Sequence, residues 1–440
     1  MKYSQSLSFL NSFLNLEQVA KPHSRVWNLK RMRELLEIFG HPEKGIFTIL
    51  VGGTKGKGST AYFLSEILRR AGLQVGFYHS PHLEHPNERI WINGKAISKG
   101  EFARGLLRIQ QRLCHSVIAR QRTKHGRSNP RPEIASGASH PRNDRYTYFE
   151  IMTLLAALLF KEKGIETAVY EVGMGGRLDA TNTLPAKLVI LTPIHYDHEA
   201  YLGYTLDKIA REKAAILRMG RDVVTAPQLP EARREIQKVA RRRKCPVWSP
   251  LTVKGTKLQL LGDFQELNAH LALRAASILR DRYHFPLTRE AMIEGVGSNH
   301  WPGRMELFKG RPSILLDGAH NPKSIEALAR NVRKLFPGRR TILIFGTSHD
   351  KRSDRMLRAL GKVFDTCILT QSRSNRAQST VTLLSEAKGH FSVLFPAACS
   401  HEALALAGRM ARPEDLIVGT GSFYLIGELR KEALLAVPGC

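Results

Sequence analysis

Gly52-Gly53-Thr54-Lys55-Gly56-Lys57-Gly58-Ser59-Thr60 is the run in this 440-residue chain whose residue types and spacing point most directly to chemistry. The glycines let backbone N–H groups close around an anion, Lys57 brings a point charge, and Ser59 or Thr60 offers a hydroxyl to a magnesium ion. One residue too few separates Gly52 from Gly56, and Gly58 parts Lys57 from the hydroxyl, so this is a variant of the common phosphate loop. Ser80, Glu171, His198 and Lys213 belong with it, three of them at or beside strand ends. Glu171 stands where an apolar strand meets a glycine loop; a buried carboxylate there needs a partner, and a cation is a good one. A histidine standing alone is more often structural than ligating, and only its company makes His198 a candidate. Zinc is disfavoured because no HxxEH, HExxH or CxxC spacing occurs. A hard ion bridging phosphate oxygens fits the residues better.

The elements that must position these residues alternate between strand and helix. Ile46–Val51 reads as a buried strand, and Ala61, Leu64, Ile67 and Leu68 recur at helical spacing. Leu7, Leu10, Phe13 and Leu14 suggest an opening helix, and Leu29–Phe39 a second. Further strands are expected over Gln74–Tyr78, Thr167–Val172 and Lys187–Thr192, with a hairpin around Asn93-Gly94. Helices are expected from Phe102, from Tyr146–Glu150 through Phe160, over Thr205–Leu217, over Pro230–Lys244 and over Leu267–Arg280. The cations ending the Pro230 helix complement its dipole, a reading that outranks a nucleic-acid patch. After Trp301-Pro302-Gly303-Arg304 a second α/β unit begins, with strands at Ser313–Leu316, Thr341–Phe345, Thr366–Thr370 and Leu416–Val418. The fold expected is α/β: a P-loop-type ATP-binding domain with a mostly parallel sheet over 1–299, then a smaller Rossmann-like α/β domain over 300–440. The loops after Val51, Tyr78, Val172 and Thr192 carry the polar residues named above, which supports one shared site at the carboxyl ends of the strands.

Ala119–Arg145 breaks this rhythm. It is rich in Arg, Pro, Ser and Gly, and Ile134 is its only large apolar residue, so a flexible basic insertion is expected there, solvated rather than bound to ligand. The chain carries 67 Lys and Arg against 39 Asp and Glu, a net charge of +28. That charge suits anionic partners such as nucleotides or polyacids, and a basic background explains it equally well. Five cysteines at wide spacing read as reduced thiols. The start of the chain lacks the apolar core of a signal peptide, and Ile151–Phe160 is too short to span a bilayer. A cytoplasmic monomer is expected. A basic nucleic-acid-binding NTPase is a rival reading, but no helicase or RNA-binding signature supports it.

In order along the chain, GTKGKGS from Gly53, Ser80-Pro81-His82-Leu83, Asn87-Glu88-Arg89-Ile90, Thr147-Tyr148-Phe149-Glu150, Glu171 through Asn182, Asp197-His198, Arg211-Glu212-Lys213-Ala214, Trp301-Pro302-Gly303-Arg304, Asp317-Gly318-Ala319-His320-Asn321-Pro322 and Thr420-Gly421-Ser422 resemble the folylpolyglutamate synthase and dihydrofolate synthase family of the Mur ligase superfamily. The resemblance covers nearly the whole chain, and the run EVGMGGRLDATN sets it apart from the cell-wall Mur ligases. It implies an ATP-dependent amide ligase of folate biosynthesis that adds L-glutamate to dihydropteroate and to folates through an acyl phosphate, in a cleft that can close between two domains. A monofunctional folylpolyglutamate synthase is the near alternative.

The resemblance also assigns roles, residue by residue. Gly56, Lys57, Gly58, Ser59 and Thr60 would cradle the ATP phosphates, and Asn268, Arg304 and Asp317 would contact ATP. Lys57, Glu171, His198 and Lys213 would be the catalytic set. Ser59, Ser80, Glu171 and His198 would hold magnesium at two sites, joined by Lys213 if it is carbamylated. Ser80, His82, Thr147, Tyr148, Phe149, Glu150, Leu178, Asp179 and Ala180 would meet the pterin-bearing substrate, and His320 and Ser422 the incoming glutamate. Lys55 stands where the family usually has Asn or a similar polar residue, and His195 where a small residue is more often found.

Overall fold

The computed structural model describes residues 1–15, 28–124, 143–253, 258–297 and 301–436. The chain divides into two compact units, one of Met1–Ser80, Arg89–Gly255 and Asn268–Val296, the other of Pro81–Glu88, Thr256–Leu267 and Gly297–Cys440. The strands of the first unit are β1 (Phe13–Leu14), β2 (Phe47–Gly52), β3 (Val75–Tyr78), β4 (Ile90–Ile92), β5 (Lys95–Ala96), β6 (Asn143–Thr147), β7 (Thr167–Glu171), β8 (Ala186–Leu191), β9 (Asp222–Thr225) and β10 (Val247–Trp248). Eight of them form one sheet in the order β10-β9-β8-β2-β7-β3-β4-β5. It is parallel except for β3–β4 and β4–β5, where Asn93 and Gly94 turn a hairpin with φ of 50° and 80°.

β2 lies at the centre, buried on both faces, which is why its sequence is a continuous apolar run instead of an alternating one. The chain leaves β2 for β3, returns to fill the gap with β7, then crosses to β8 on the other side. That reversal opens a crevice at the carboxyl end of β2, where ligands of such sheets bind. The helix Tyr148–Glu162 covers one face, and Phe160 reaches so close to Gly76 that a Cβ there would lie 2.8 Å from its ring.

The basic stretch corrects expectation at both ends. The helix that begins at Lys99 runs on to Lys124, and β6 starts at Asn143, so the ends of Ala119–Arg145 are regular backbone and not loop; residues 125–142 lie outside the described residues. Arg, Gln and Lys are good helix formers as well as poor core residues. The buried stripe of Phe102, Leu106, Ile109 and Leu113 had already started that helix. The opening helix also stops early, at Asn11, because Phe13 and Leu14 pair with β6 as a short strand.

The second unit has a sheet of β11 (Glu306–Phe308), β12 (Ser313–Asp317), β13 (Thr341–Phe345), β14 (Thr366–Leu369), β15 (Val393–Pro396) and β16 (Leu416–Thr420), in the order β11-β12-β16-β13-β14-β15. Only β11 runs antiparallel to its neighbour. Apolar residues of the helices Pro322–Leu335, Ser353–Leu360 and Thr380–Ala387 fill one core, and those of Ser400–Met410 and Phe423–Ala436 a second. The late return of β16 between β12 and β13 places the loops after Asp317 and Thr420 side by side.

Candidate active site

The phosphate loop is held from behind by main-chain contacts. After β2, Thr54 N and Lys55 N both point at Pro193 O, at 3.0 and 3.4 Å. Thr54 Oγ1 donates to His195 O at 3.1 Å and accepts from His195 N at 3.1 Å. Lys213 Nζ, buried, donates to Gly53 O at 2.8 Å. Gly53 and Gly56 take φ of 136° and 84°, which side chains rarely adopt. A Cβ on Gly53 would lie 2.0 Å from Thr192 Oγ1, and one on Gly56 2.1 Å from Asn268 Oδ1. Gly56 is the N-cap of the helix Lys57–Arg70, so the positive end of that helix faces the loop. Of the two candidate hydroxyls, that of Thr60 donates to Asn268 Oδ1 at 3.4 Å, and that of Ser59 lies one residue earlier, 4% exposed.

Glu171 ends β7 beside this loop and is buried. Its Oε1 lies 3.8 Å from Lys57 Nζ, its Oε2 accepts from Ser80 N at 3.1 Å, and a Cβ on Gly58 would be 3.2 Å from Oε2. The glycine at 58 thus lets the first helical turn close onto the carboxylate. Burial and the neighbouring Lys57 ammonium push Lys213 down to about 7, against the opposing pull of Asp197 and Asp179. Lys57, Lys213, Glu171, Asp179 and Asp197 therefore form one charge constellation. His198 stands on the exposed loop after β8 in a left-handed conformation, with Nε2 3.9 Å from Asp197 Oδ1.

These residues suit a hard cation that arrives with the nucleotide. Ser59 and Glu171 lie beside the phosphate loop, Ser80 N donates to Glu171, and all three residues carry side-chain oxygens, which is the donor chemistry of magnesium. Among the described residues no cluster of three or more His, Cys, Asp or Glu side chains forms a cage of its own. Phosphate oxygens and water would have to complete the shell, as is usual for this ion.

The segments matched to pterin binding carry much of the local architecture. Thr147 is the N-cap of the helix Tyr148–Glu162: its Oγ1 accepts from Glu150 N at 3.2 Å, and Glu150 Oε2 accepts from Thr147 N at 2.7 Å. This capping box is completed by Arg31, whose Nε lies 3.3 Å from Glu150 Oε1. Burial pushes Glu150 up and Arg31 opposes it. Tyr148 lies under Arg89, 5.4 Å from its guanidinium. Phe149 is half-buried, 5.8 Å from the Tyr78 ring, and fits where Gly173 has no side chain. Asp179 closes its own loop, accepting from Met174 N at 3.0 Å, Thr181 N at 3.0 Å and Thr181 Oγ1 at 2.6 Å. Leu178 and Ala180 flank it, the first half-buried and the second buried. Thr147→Val should lower stability by about 1 kcal/mol, the worth of a lost N-cap. Urea titration reads that loss; an unchanged midpoint would mean that Glu150 and Arg31 hold the helix end without it.

In the second unit, Asp317 ends β12 and accepts from Met305 N and Ala319 N, both at 2.9 Å. Burial pushes its carboxyl up, opposed by Arg304. The Arg304 guanidinium sits 4.4 Å over Phe423, whose ring is 5.6 Å from His320. His320 Nδ1 lies 2.8 Å from Gly318 O, and Ser422 Oγ accepts from Leu425 N at 3.1 Å. Asp317, Arg304, His320 and Ser422 thus converge around Phe423, which the sequence reading passed over. His82 lies half-buried in the segment 81–88, where Glu88 gathers the backbone N–H groups of Leu83, Glu84 and His85.

A family model for the Mur ligase glutamate ligase domain matches residues 303–423. The chain is 34% identical over 331 residues to a Bacillus subtilis dihydrofolate synthase/folylpolyglutamate synthase, covering 70% of this chain and 72% of the relative. It superimposes with a TM-score of 0.82 on Mycobacterium tuberculosis folylpolyglutamate synthase complexed with ADP, at 26% identity and with 98% of each chain covered. For E. coli FolC in complex with DHPP and ADP the TM-score is 0.79 at 25% identity, covering 99% of this chain and 98% of that one. No described helix is long and apolar enough to cross a membrane.

Proposed function

This chain belongs to the dihydrofolate synthase/folylpolyglutamate synthase family of Mur ligases, and from that premise we propose that it joins L-glutamate to dihydropteroate and to folates at the site around Lys57 and Glu171. The reaction class is ATP-dependent ligation of a carboxylate to an amine. An acceptor carboxylate oxygen bonds to the γ-phosphorus of ATP as the bond to the bridging oxygen breaks and ADP leaves with that electron pair. The neutral amine of glutamate then adds to the acyl carbon, phosphate departs, and the nitrogen gives its proton to solvent.

The observation that carries this reading is Lys57 at the first turn of its helix, held 3.8 Å from the buried Glu171. Two anions must meet in the first step. The Lys57 ammonium and the N–H groups of that turn offset their repulsion from positions fixed before the substrates arrive. Magnesium would supply further charge neutralisation of the phosphates, with Ser59, Ser80, Glu171 and His198 as the residues to hold it. Asn268 braces Gly56 and Thr60, so it supports the loop that takes the phosphates. Arg304, Asp317, His320 and Ser422 supply a charged group, a carboxyl, an imidazole and a hydroxyl around Phe423, a set suited to the remaining reactants. The burial of Lys213 and its match to the family position support a carbamate there. Carbon-13 bicarbonate should give the parent enzyme a carbamate resonance that Lys213→Arg lacks; a parent spectrum without it removes that part.

An ADP-release assay with dihydropteroate, dihydrofolate and tetrahydrofolate, each with and without glutamate, tests the whole reading. Glutamate-dependent release with all three is expected. Silence with dihydropteroate alone would reduce the protein to a folylpolyglutamate synthase, and silence with all three would end the proposal.

A further inference from the structure

We propose that Gln228 is a positioning residue for the phosphate loop, acting through the segment Thr192–His195. Gln228 lies between β9 and the helix Pro230–Arg242, outside every motif that carries the family resemblance. Its Nε2 donates to Thr192 O at 3.1 Å and lies 3.3 Å from Thr225 Oγ1, while its Oε1 accepts from Ile194 N at 2.9 Å. One side-chain amide thus clamps the main chain at two residues, with Pro193 between them. Pro193 O is the acceptor for Thr54 N and Lys55 N, and His195, two residues on, exchanges main-chain bonds with Thr54 Oγ1. The segment is therefore gripped by Gln228 on one side and by the phosphate loop on the other.

Gln228 is well prepared for that grip. Pro227 and Pro230 bracket it and fix φ on both sides, so little chain entropy remains to be lost. Ala226 N donates to Leu191 O at 2.8 Å, which ties the start of this loop to the end of β8. Lys213 holds the carbonyl half of the Gly53–Thr54 peptide, at Gly53 O. With Lys213 on its carbonyl and Pro193 O on its N–H, the orientation of that peptide, from which the loop departs, is set without a ligand. The same segment leads in three residues to His198, so the clamp also sets the root of that side chain.

This inference rests on the reading of the loop as the ATP site, and the experiment separates the two. Gln228→Leu removes both bonds to the segment, and the contact with Thr225 Oγ1 as well. Gln228→Glu keeps the volume and the acceptor for Ile194 N but loses the donor to Thr192 O, which covers the case in which leucine does not fold. ADP affinity of each purified variant is measured by calorimetry, alongside KM for ATP and for glutamate and the melting temperature. ADP affinity should fall and KM for ATP rise by about tenfold to a hundredfold, the scale set by displacing a binding group by up to an ångström. KM for glutamate should stay within twofold of the parent. A Gln228→Leu, Thr54→Val double variant should bind ADP no more weakly than the worse of the two single variants, since both break one linkage. Lowered melting with unchanged ADP affinity would reduce Gln228 to a structural residue, and a uniform rise in every KM would overturn the assignment to the phosphate loop. A parent enzyme that binds no ADP would overturn the reading of the loop itself and the inference with it.

Discussion

Lys57→Met is expected to abolish acceptor-dependent ADP release and, in the same protein, to lower the melting temperature. The two effects have different origins. Removing a fixed donor that faces developing charge costs about 10²–10³ in rate, and Lys57 is both the point charge of the loop and part of the first helical turn. The stability loss comes from Glu171. Its side chain is 4% exposed against 17% for Lys57, so removing the ammonium takes a counter-charge away from a buried carboxylate, which still accepts from Ser80 N. Breaking a buried pair from one side costs about 3–5 kcal/mol when the contact is tight; at 3.8 Å the lower end of that range applies. Lys57→Met combined with Glu171→Gln should recover most of the melting temperature, because the charge is gone, and none of the ADP release. Thermal melting of the two variants beside the parent decides it: a Lys57→Met protein that melts like the parent would show that the pair is not coupled in the free enzyme.

What made this site legible in the chain was local pattern. Strand, glycine turn and helix follow one another within 46–60, so the loop's shape is written in adjacent residues. Glu171 was visible for the same reason, as a carboxylate between an apolar run and glycines. Thr147-x-x-Glu150 had a double meaning: it matches the family's pterin segment, and it is also the signature of a capping box, which the structure shows it forming. Asp179 likewise fills a substrate motif while its oxygens shape their own loop. Gln228, Thr192 and Phe423 carried no local signal. Their importance comes from contacts across the sheet to residues 34–36 positions away for Gln228 and about a hundred for Phe423 over Gly318 and Arg304, and no periodicity reports such contacts. The short strand β10 escaped for a related reason: two residues are too few to show alternation, and its pairing with β9 decides its form. In Ala119–Arg145 composition competed with helix propensity, and at the Lys124 end propensity prevailed.

Gly53→Ala and Gly56→Ala should both destroy nucleotide binding, and only the first should also damage the fold. At Gly56 the new Cβ meets Asn268 Oδ1 at 2.1 Å, a side-chain atom that can rotate away. The movement breaks the contact from Thr60 Oγ1 to Asn268, and the left-handed backbone adds about 1–2 kcal/mol for an L-residue, so the first turn should loosen while the sheet stands. At Gly53 the Cβ would lie 2.0 Å from Thr192 Oγ1 and 2.9 Å from Thr192 O, and φ is 136°. A carbonyl oxygen cannot rotate aside. Thr192 N is bonded to Gly52 O at 2.8 Å, and Thr192 O to Gln228 Nε2 at 3.1 Å, so relief would require pulling the end of β8 away from β2. Asn268→Ala added to Gly56→Ala should therefore restore some ADP affinity by relieving the clash, whereas Thr192→Ala added to Gly53→Ala should restore little, because the main-chain contact remains. Calorimetric ADP binding and thermal melting of the four proteins distinguish these outcomes. If Gly53→Ala melts and binds like the parent, the loop is not held against Thr192 and the brace running from Gln228 through Pro193 cannot be what shapes it.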